Sequence, residues 1–419
     1  MSKAYGINSF VMDSGERYCH VIDRVSGLPE YYPTLFLTTQ IRNHGDSFAT
    51  MEAAASNLVV FLRFLERGGI DLERRLLQRD FFREHELDAL RDFTQRRFEQ
   101  VLAFIPFGSV FTIDELAESG RPVSNGTQYS RLTTIARYLS WFARHLLSDL
   151  SQEDAARINA LVGQIKERRP VKRGRNGDPR DRSLNDQQLD ALFQVIRIGS
   201  TLNPFSESVQ RRNRVMILLL YHLGIRGGEL LNLRISDIDF AANQVTVARR
   251  ADEKDDPRVR EPNAKTLGRK IPLADSLSKE VHEYITKDRR LVGNARKNDF
   301  LFVTHKQGPT VGQPISKAGY YKVMAIVAAV SPQLYAVTGH MLRHSWNHKF
   351  SERMDASDKP FSEVQQEQVR SYLMGWKQAS GTAATYNKRF IEQKGHEAAL
   401  AMQEKSGTRA PKELKNDDE

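Results

Sequence analysis

The stretch "TGHMLRHSWNHKF", residues 338–350, sets His340, His344 and His348 at four-residue steps, with Arg343 among them. Such steps put side chains on one face of a helix. Two chemistries suit that face: imidazoles can hold a metal ion, or an imidazole and a guanidinium can meet one anion. A zinc hydrolase with H-x-x-x-H spacing carries a Glu directly after the first His, and position 341 is Met. Three ligands on one straight helix point along a line and do not converge on a tetrahedral centre. Arg343 would also repel a cation. The better-suited pair is His340 with Arg343, three residues apart. Arg offers a planar fork of donors that fits two phosphate oxygens, and His can donate a hydrogen bond or move a proton.

Three other stretches hold residues of matching chemistry. In "YHLGIRGGELLNLRISDIDF" (221–240), Arg226 sits between a helix-ending Gly224 and the pair Gly227-Gly228, where backbone can come close to a ligand. Glu229 could hold its guanidinium in place, or the two could simply pair and cap a helix. In "NAKTLGRKIPL" (263–273), Lys265 stands where two strands would turn. It could reach into a groove or lie in solvent. In "YLMGWKQASGTAATYNKRF" (372–390), Trp376 follows a Gly, and Tyr386 precedes Asn387-Lys388-Arg389. Nearby cations favour the phenolate, so Tyr386 could be a nucleophile towards phosphorus, or an ordinary helix tyrosine.

These residues need elements to hold them. The 419-residue chain is long enough for two or three domains, and its 40% apolar content can fill real cores. Residues 1–42 read as strand-like, with a hairpin around Ser26-Gly27. Residues 43–165 read as a helical domain with helices over 47–69, 84–105, 125–147 and 151–165, the last opened by a Ser151/Asp154 capping box. Residues 166–182, "KERRPVKRGRNGDPRDR", form a linker with eight Lys/Arg against three acids. Lys172, Arg173 and Arg175 there suit a phosphate backbone as well as solvent. A mixed domain follows over 183–405. It opens with an Asn185/Gln188 capping box, continues through a buried helix ending at Gly224, and has strands at 244–250 and 268–274 with a further one at 298–304. Residues 406–419 read as a disordered tail. The expected fold class is mainly α with a small antiparallel β-sheet.

Charge points to the partner. A formal net charge of +10 favours a polyanion, nucleic acid first. The single cysteine, Cys19, excludes an intrachain disulfide and a Cys-based zinc site. The N-terminus lacks an apolar signal core, and the run at 215–225 is too short to span a bilayer, so a soluble, cytoplasmic protein with no membrane partner is expected.

In chain order these stretches resemble the tyrosine recombinases, the phage-integrase family, over nearly the whole chain. "LGIRGGELLNLRISDID" is similar to the family's first arginine box, "KTLGRKIPL" to its lysine-bearing β-hairpin, "HMLRHSW" to its H-x-L-R-H box, and "MGWKQASGTAATY" to its closing Gly-His/Trp segment with the tyrosine. Two spacings are longer than the family's usual ones, Arg343 to Trp376 and Trp376 to Tyr386. Tyr372 is the nearest rival to Tyr386. The resemblance implies a helical core-binding (SAM-like) domain and a mixed α/β catalytic domain that close on double-stranded DNA.

It further implies that Tyr386 attacks a scissile phosphate to give a 3′-phosphotyrosyl link. Arg226 and Arg343 would clamp the non-bridging oxygens, and His340 would move a proton. Trp376 would pack or hydrogen-bond at the phosphate, and Lys265 would protonate the leaving 5′-oxygen. Glu229 and His344 would support these groups. No metal and no cofactor are implied. The assembly implied is a homotetramer working through a Holliday junction on a specific site, for a mobile element and with accessory DNA-bending proteins. Alternatives are a type IB topoisomerase or telomere resolvase with the same chemistry, a catalytically inactive DNA-binding regulator and, remotely, a metal hydrolase.

Overall fold

The protein is described from a computed structural model. The structure describes residues 4–98, 118–119, 122–171, 183–262, 266–335, 337–355, 361–377, 399–400 and 402. The chain divides into two units, Met1–Arg180 and Asp181–Glu419, each with its own apolar core.

The first unit opens with an antiparallel hairpin, β1 (Tyr5–Val11) and β2 (Arg17–Asp23), registered from Tyr5 opposite Asp23 to Val11 opposite Arg17. The hairpin therefore turns at residues 12–16, with Gly15 at φ +95°, and not at Ser26-Gly27. The expected second run is helical: α1 (Tyr31–Phe36) continues into a wider helical turn, Leu37–Arg42. The reason is periodicity. Pro33, Phe36, Leu37 and Ile41 are the buried residues, spaced three or four apart, and Pro is tolerated in a first turn.

Helix α2 (Phe48–Arg67) starts at Ser47, whose hydroxyl accepts from the Thr50 amide. It meets the length and apolar composition of a membrane span, but its apolar residues Met51, Leu58, Phe61 and Leu65 are core residues of this unit. Helices α3 (Leu72–Leu77), α4 (Glu84–Thr94), α5 (Asn125–Leu146) and α6 (Gln152–Glu167) complete it, and α6 has the Ser151/Asp154 capping box. The helix expected over 84–105 ends at Thr94 and gives way to β3 (Arg97–Phe98), paired with β4 (Glu118–Ser119). Arg131 on α5 explains the stop: one guanidinium nitrogen donates to the carbonyls of Thr94 and Arg96, both at 2.8 Å, and holds the turned chain.

In the second unit α7 (Asp186–Val195) carries the Asn185/Gln188 capping box. Helix α8 (Glu207–Leu223) is buried along Val215–Leu220 and ends at Gly224, in the left-handed region at φ +59°. The short helix α9 (Gly227–Leu231) follows. A three-stranded antiparallel sheet is ordered β5 (Ile238–Asp239), β6 (Gln244–Val247), β7 (Arg269–Pro272). The expected strand at 298–304 is not in it. Phe300 and Val303 make isolated bridges to Arg234 and Pro314, and β5 takes the third place. Helices α10 (Asp275–Glu283), α11 (Lys317–Ala328), α12 (Gly339–Asp355) and α13 (Glu363–Met374) follow, with α12 packed along α8. The tail at 406–419 and most of the basic linker, including Lys172, Arg173 and Arg175, lie outside the described residues.

Candidate active site

Arg226 is placed by the turn after α8. Gly224 reverses the chain, and Arg226 then becomes the N-cap of α9. Its backbone N–H donates to Glu229 Oε2 at 2.8 Å, and its guanidinium lies 3.9 Å from Glu229 Oε1. The side chain is about one-third exposed, and its backbone is tied to Glu229.

Glu229 itself is buried and is a hub. It accepts from Arg269 Nη2 at 3.1 Å and Nη1 at 3.3 Å, and from the hydroxyl of Thr266. Burial pushes its carboxyl up, but the Arg269 charge and the hydrogen bonds from Arg269, Thr266 and the Arg226 amide outweigh that and hold it below the usual carboxylate range. Arg269, at the start of β7, also sends its Nε to the Leu373 carbonyl at 2.6 Å, near the end of α13. The Leu267 amide pairs with the Gly375 carbonyl at 3.0 Å. Thus the Arg226 turn, the start of β7 and the Gly375-Trp376 turn converge on one buried ion pair. Gly375, at φ +65°, fits where a Cβ would lie 2.6 Å from Arg269 Nη1.

Arg343, on α12, is 1% exposed. Its Nη1 donates to the Gly224 carbonyl at 2.5 Å and its Nη2 to the Met374 carbonyl at 2.9 Å. Those carbonyls lie two residues before Arg226 and two before Trp376, so Arg343 joins both motifs. Trp376 is buried with its ring 5.5 Å from the Arg343 guanidinium carbon, beside Met374 and Trp346. Trp376 thus packs against Arg343.

Arg226, His340 and Arg343 line one cavity of about 700 Å³. Lys317, Tyr320, Tyr321, Met324 and Tyr335 form its other walls. Tyr320 is wedged between Gly227 and Gly339, the first residues of α9 and α12, and a Cβ on Gly227 would come within 2.9 Å of its ring. The histidine ladder splits by role. His340 is on the cavity, the His344 ring meets it edge-on at 4.5 Å, and His348 pairs with Glu352 at 2.8 Å one turn further along α12. Tyr372, the rival tyrosine, is exposed and donates its hydroxyl to the Lys270 carbonyl at 3.3 Å. It is not among the cavity's lining residues. Lys265 and Tyr386 lie outside the described residues.

Sequence reasoning missed Arg269. Its signal was present: in β7, Arg269 and Ile271 are the inward positions, and Leu273 just beyond is also buried. An arginine in phase with core residues of a strand needs a buried partner.

Residues 182–392 match the family model described as "Phage integrase family". The chain belongs to that family. Among curated relatives, the tyrosine recombinase XerD of Halalkalibacterium halodurans is 26% identical over 165 residues, 39% of this chain and 46% of the relative. The tyrosine recombinase XerC of Staphylococcus aureus is 26% identical over 161 residues, 38% and 45% of the two chains. The phage-integrase chain here thus spans about half the length of the curated relatives it matches. Among solved structures, the Tn1549 transposon integrase in complex with circular intermediate DNA has a TM-score of 0.49 at 14% identity, over 84% of this chain and 94% of that one. That similarity is weak.

Proposed function

We propose that the protein breaks and rejoins DNA strands through a 3′-phosphotyrosyl intermediate, with Tyr386 as nucleophile. One observation carries the reading: Arg226, His340 and Arg343, more than a hundred residues apart in sequence between the first and the last two, line a single cavity. Two arginines and a histidine lining one cavity suit a phosphodiester whose non-bridging oxygens gain charge in the transition state. Family membership adds the order of the motifs.

In the proposed step the Tyr386 oxygen forms a bond to phosphorus as the bond from phosphorus to the 5′-oxygen breaks. The phenol proton passes to His340, and Lys265 gives a proton to the leaving 5′-oxygen. Arg226 and Arg343 hold the phosphoryl oxygens throughout. The bond energy stays in the phosphotyrosyl link, so the reverse attack by a 5′-hydroxyl rejoins a strand with no nucleotide consumed. The arginines supply the positive charge, and the reaction is expected to run without metal or cofactor. Glu229 and His344 support the charged groups from behind.

The helical region 43–165 is proposed as a second DNA-contacting domain, and Lys172, Arg173 and Arg175 of the linker as phosphate contacts. Strand exchange by a homotetramer through a Holliday junction, in the cytoplasm and in the service of a mobile element, is the biological setting proposed. The test is incubation with a nicked DNA site that traps the intermediate, in chelator. A covalent protein–DNA band that disappears in Tyr386→Phe with DNA binding retained supports the reading. A band that persists in Tyr386→Phe, or activity that requires added zinc, refutes it.

A further inference from the structure

The connection from β6 to β7 is far longer than a hairpin turn, running from Val247 to Arg269, where loops of two to five residues are the rule. From Arg250 to Pro262 it is fastened at several points to the chain at Leu231–Asp237, which begins at the last residue of the helix that Arg226 opens. Arg250 makes a two-pronged pair with Asp237 at 2.8 and 2.6 Å. Glu253 pairs with Arg234, whose guanidinium lies 4.3 Å over the Phe300 ring. Arg258 donates to the carbonyls of Leu231 and Ile315, both at 3.0 Å, and to Asn232 Oδ1 at 2.9 Å. Its charge is matched by Asp256 at 2.8 Å, and Phe300 lies 4.7 Å beneath it. The Asn232 amide nitrogen then donates to the Pro262 carbonyl. Arginine only donates and a carbonyl only accepts, so this is the one orientation of the Asn232 amide that satisfies both.

Beyond Pro262 the next described residue is Thr266, whose hydroxyl bonds Glu229. Pro262 and Thr266 are therefore both tied to the α9 segment, through Asn232 and Glu229, three residues apart and on one face. Lys265 is the peptide neighbour of Thr266. Asn232, Asp256, Arg258 and Glu261 are all buried. Burying such groups costs free energy unless each is satisfied, and yields position more than stability.

We propose that Asn232 and Arg258 are positioning residues for the proton donor Lys265, registering the β6–β7 connection to the helix that presents Arg226. The inference rests on Lys265 being the acid, as read above, and the test separates the two. Cleavage is measured on two DNA sites, one normal and one with sulfur in place of the scissile 5′-oxygen. The sulfur site breaks a phosphorus–sulfur bond and releases a thiolate, which needs no proton near neutral pH. Lys265→Ala comes first: if sulfur does not restore its cleavage, the acid reading itself fails.

Asn232→Asp keeps the size and the acceptor for Arg258 but sets an oxygen against the Pro262 carbonyl. It is expected to slow cleavage of the normal site by about 10- to 100-fold while staying within about threefold of wild type on the sulfur site, a share of what general acid catalysis supplies. Asp256→Asn with Arg258→Met, which leaves no unpaired buried charge, is expected to show the same split. Arg343→Ala, which removes a phosphate clamp, is expected to be slow on both sites. If Lys265→Ala is rescued by sulfur but both positioning variants cleave the normal site at the wild-type rate, or are equally slow on both sites, the inference is overturned.

Discussion

Replacing Arg269 by Met would test whether the Glu229–Arg269 pair is the keystone of the site. At 3.1 Å the gross attraction is about 5 kcal/mol for an effective dielectric of about 20. Most of that offsets the cost of removing both charges from water. The cost of breaking the pair from one side is different, because Glu229 is then left buried and charged. It keeps the Thr266 hydroxyl, the Arg226 amide and the more distant Arg226 guanidinium at 3.9 Å. Such a change costs about 3–5 kcal/mol. The Leu373 carbonyl, which loses its 2.6 Å donor, adds about 1 kcal/mol or more.

Glu229→Gln placed in the same chain removes the orphaned charge and should return about 2 kcal/mol or more. The assay is urea unfolding followed by tryptophan fluorescence in a Trp141→Phe background. The remaining tryptophans, Trp346 and Trp376, then report the second unit alone. Cleavage of the trapping DNA is measured in parallel. Stability should recover in the double variant and cleavage should not, since a neutral Gln without Arg269 no longer registers the Arg226 turn against β7 and α13. A loss below about 1 kcal/mol in the single variant, where a break of a buried pair should cost several times that, would refute the argument. So would a double variant no more stable than the single.

Three further outcomes follow from the same geometry. Arg343→Lys keeps the charge but cannot reach both the Gly224 and Met374 carbonyls. It should lower the unfolding midpoint, at about 1–3 kcal/mol per carbonyl left bare, and slow cleavage by about 100-fold or more, the scale of losing one oxyanion contact. Gly224→Ala forces a left-handed φ of +59° on a residue whose Cβ would lie 2.6 Å from Met374 Cε. It should cost about 1–2 kcal/mol for the backbone alone, and reduce cleavage because the Gly224 carbonyl holds Arg343. Acid titration checks Glu229, whose folded-state pKa lies below the ordinary 4.5. Its contribution to stability is present above that ordinary value and is lost as pH falls through the lower folded value. Glu229→Gln should therefore flatten the low-pH limb of the unfolding midpoint, and an unchanged limb would count against the pair.

Local rules carried far in this sequence because several elements follow from few residues. The capping boxes at Ser151 and Asn185 and the helix stop at Gly224 are each written in a span of four residues or fewer. Arg226, His340 and Arg343 were singled out by residue type and spacing, and they line one cavity. What failed was decided at a distance. Nothing near Thr94 says that α4 stops there; the carbonyls that end it are taken by Arg131 from another helix. The run at 298–304 has strand composition, yet the sheet edge beside β6 is taken by β5, so Phe300 instead supports Arg234 and Arg258.

Position, more than charge, is what distinguishes this site from a basic surface. Arg343 reaches the backbone at Gly224 and Met374, Arg269 reaches Glu229 and Leu373, and Asn232 reaches Pro262. Each of these bonds joins segments that the four sequence motifs place far apart, and most use a backbone carbonyl, which no side-chain substitution can move. A guanidinium fixed by two carbonyls has already lost most of its conformational freedom on folding, which would favour the anion contact proposed above. Close packing around these ties also explains the glycines at 224, 227 and 375. At 224, 227 and 375 a Cβ would strike Met374, the Tyr320 ring and Arg269, all within 3 Å. The close approach that positions the charges leaves no room for a side chain between them.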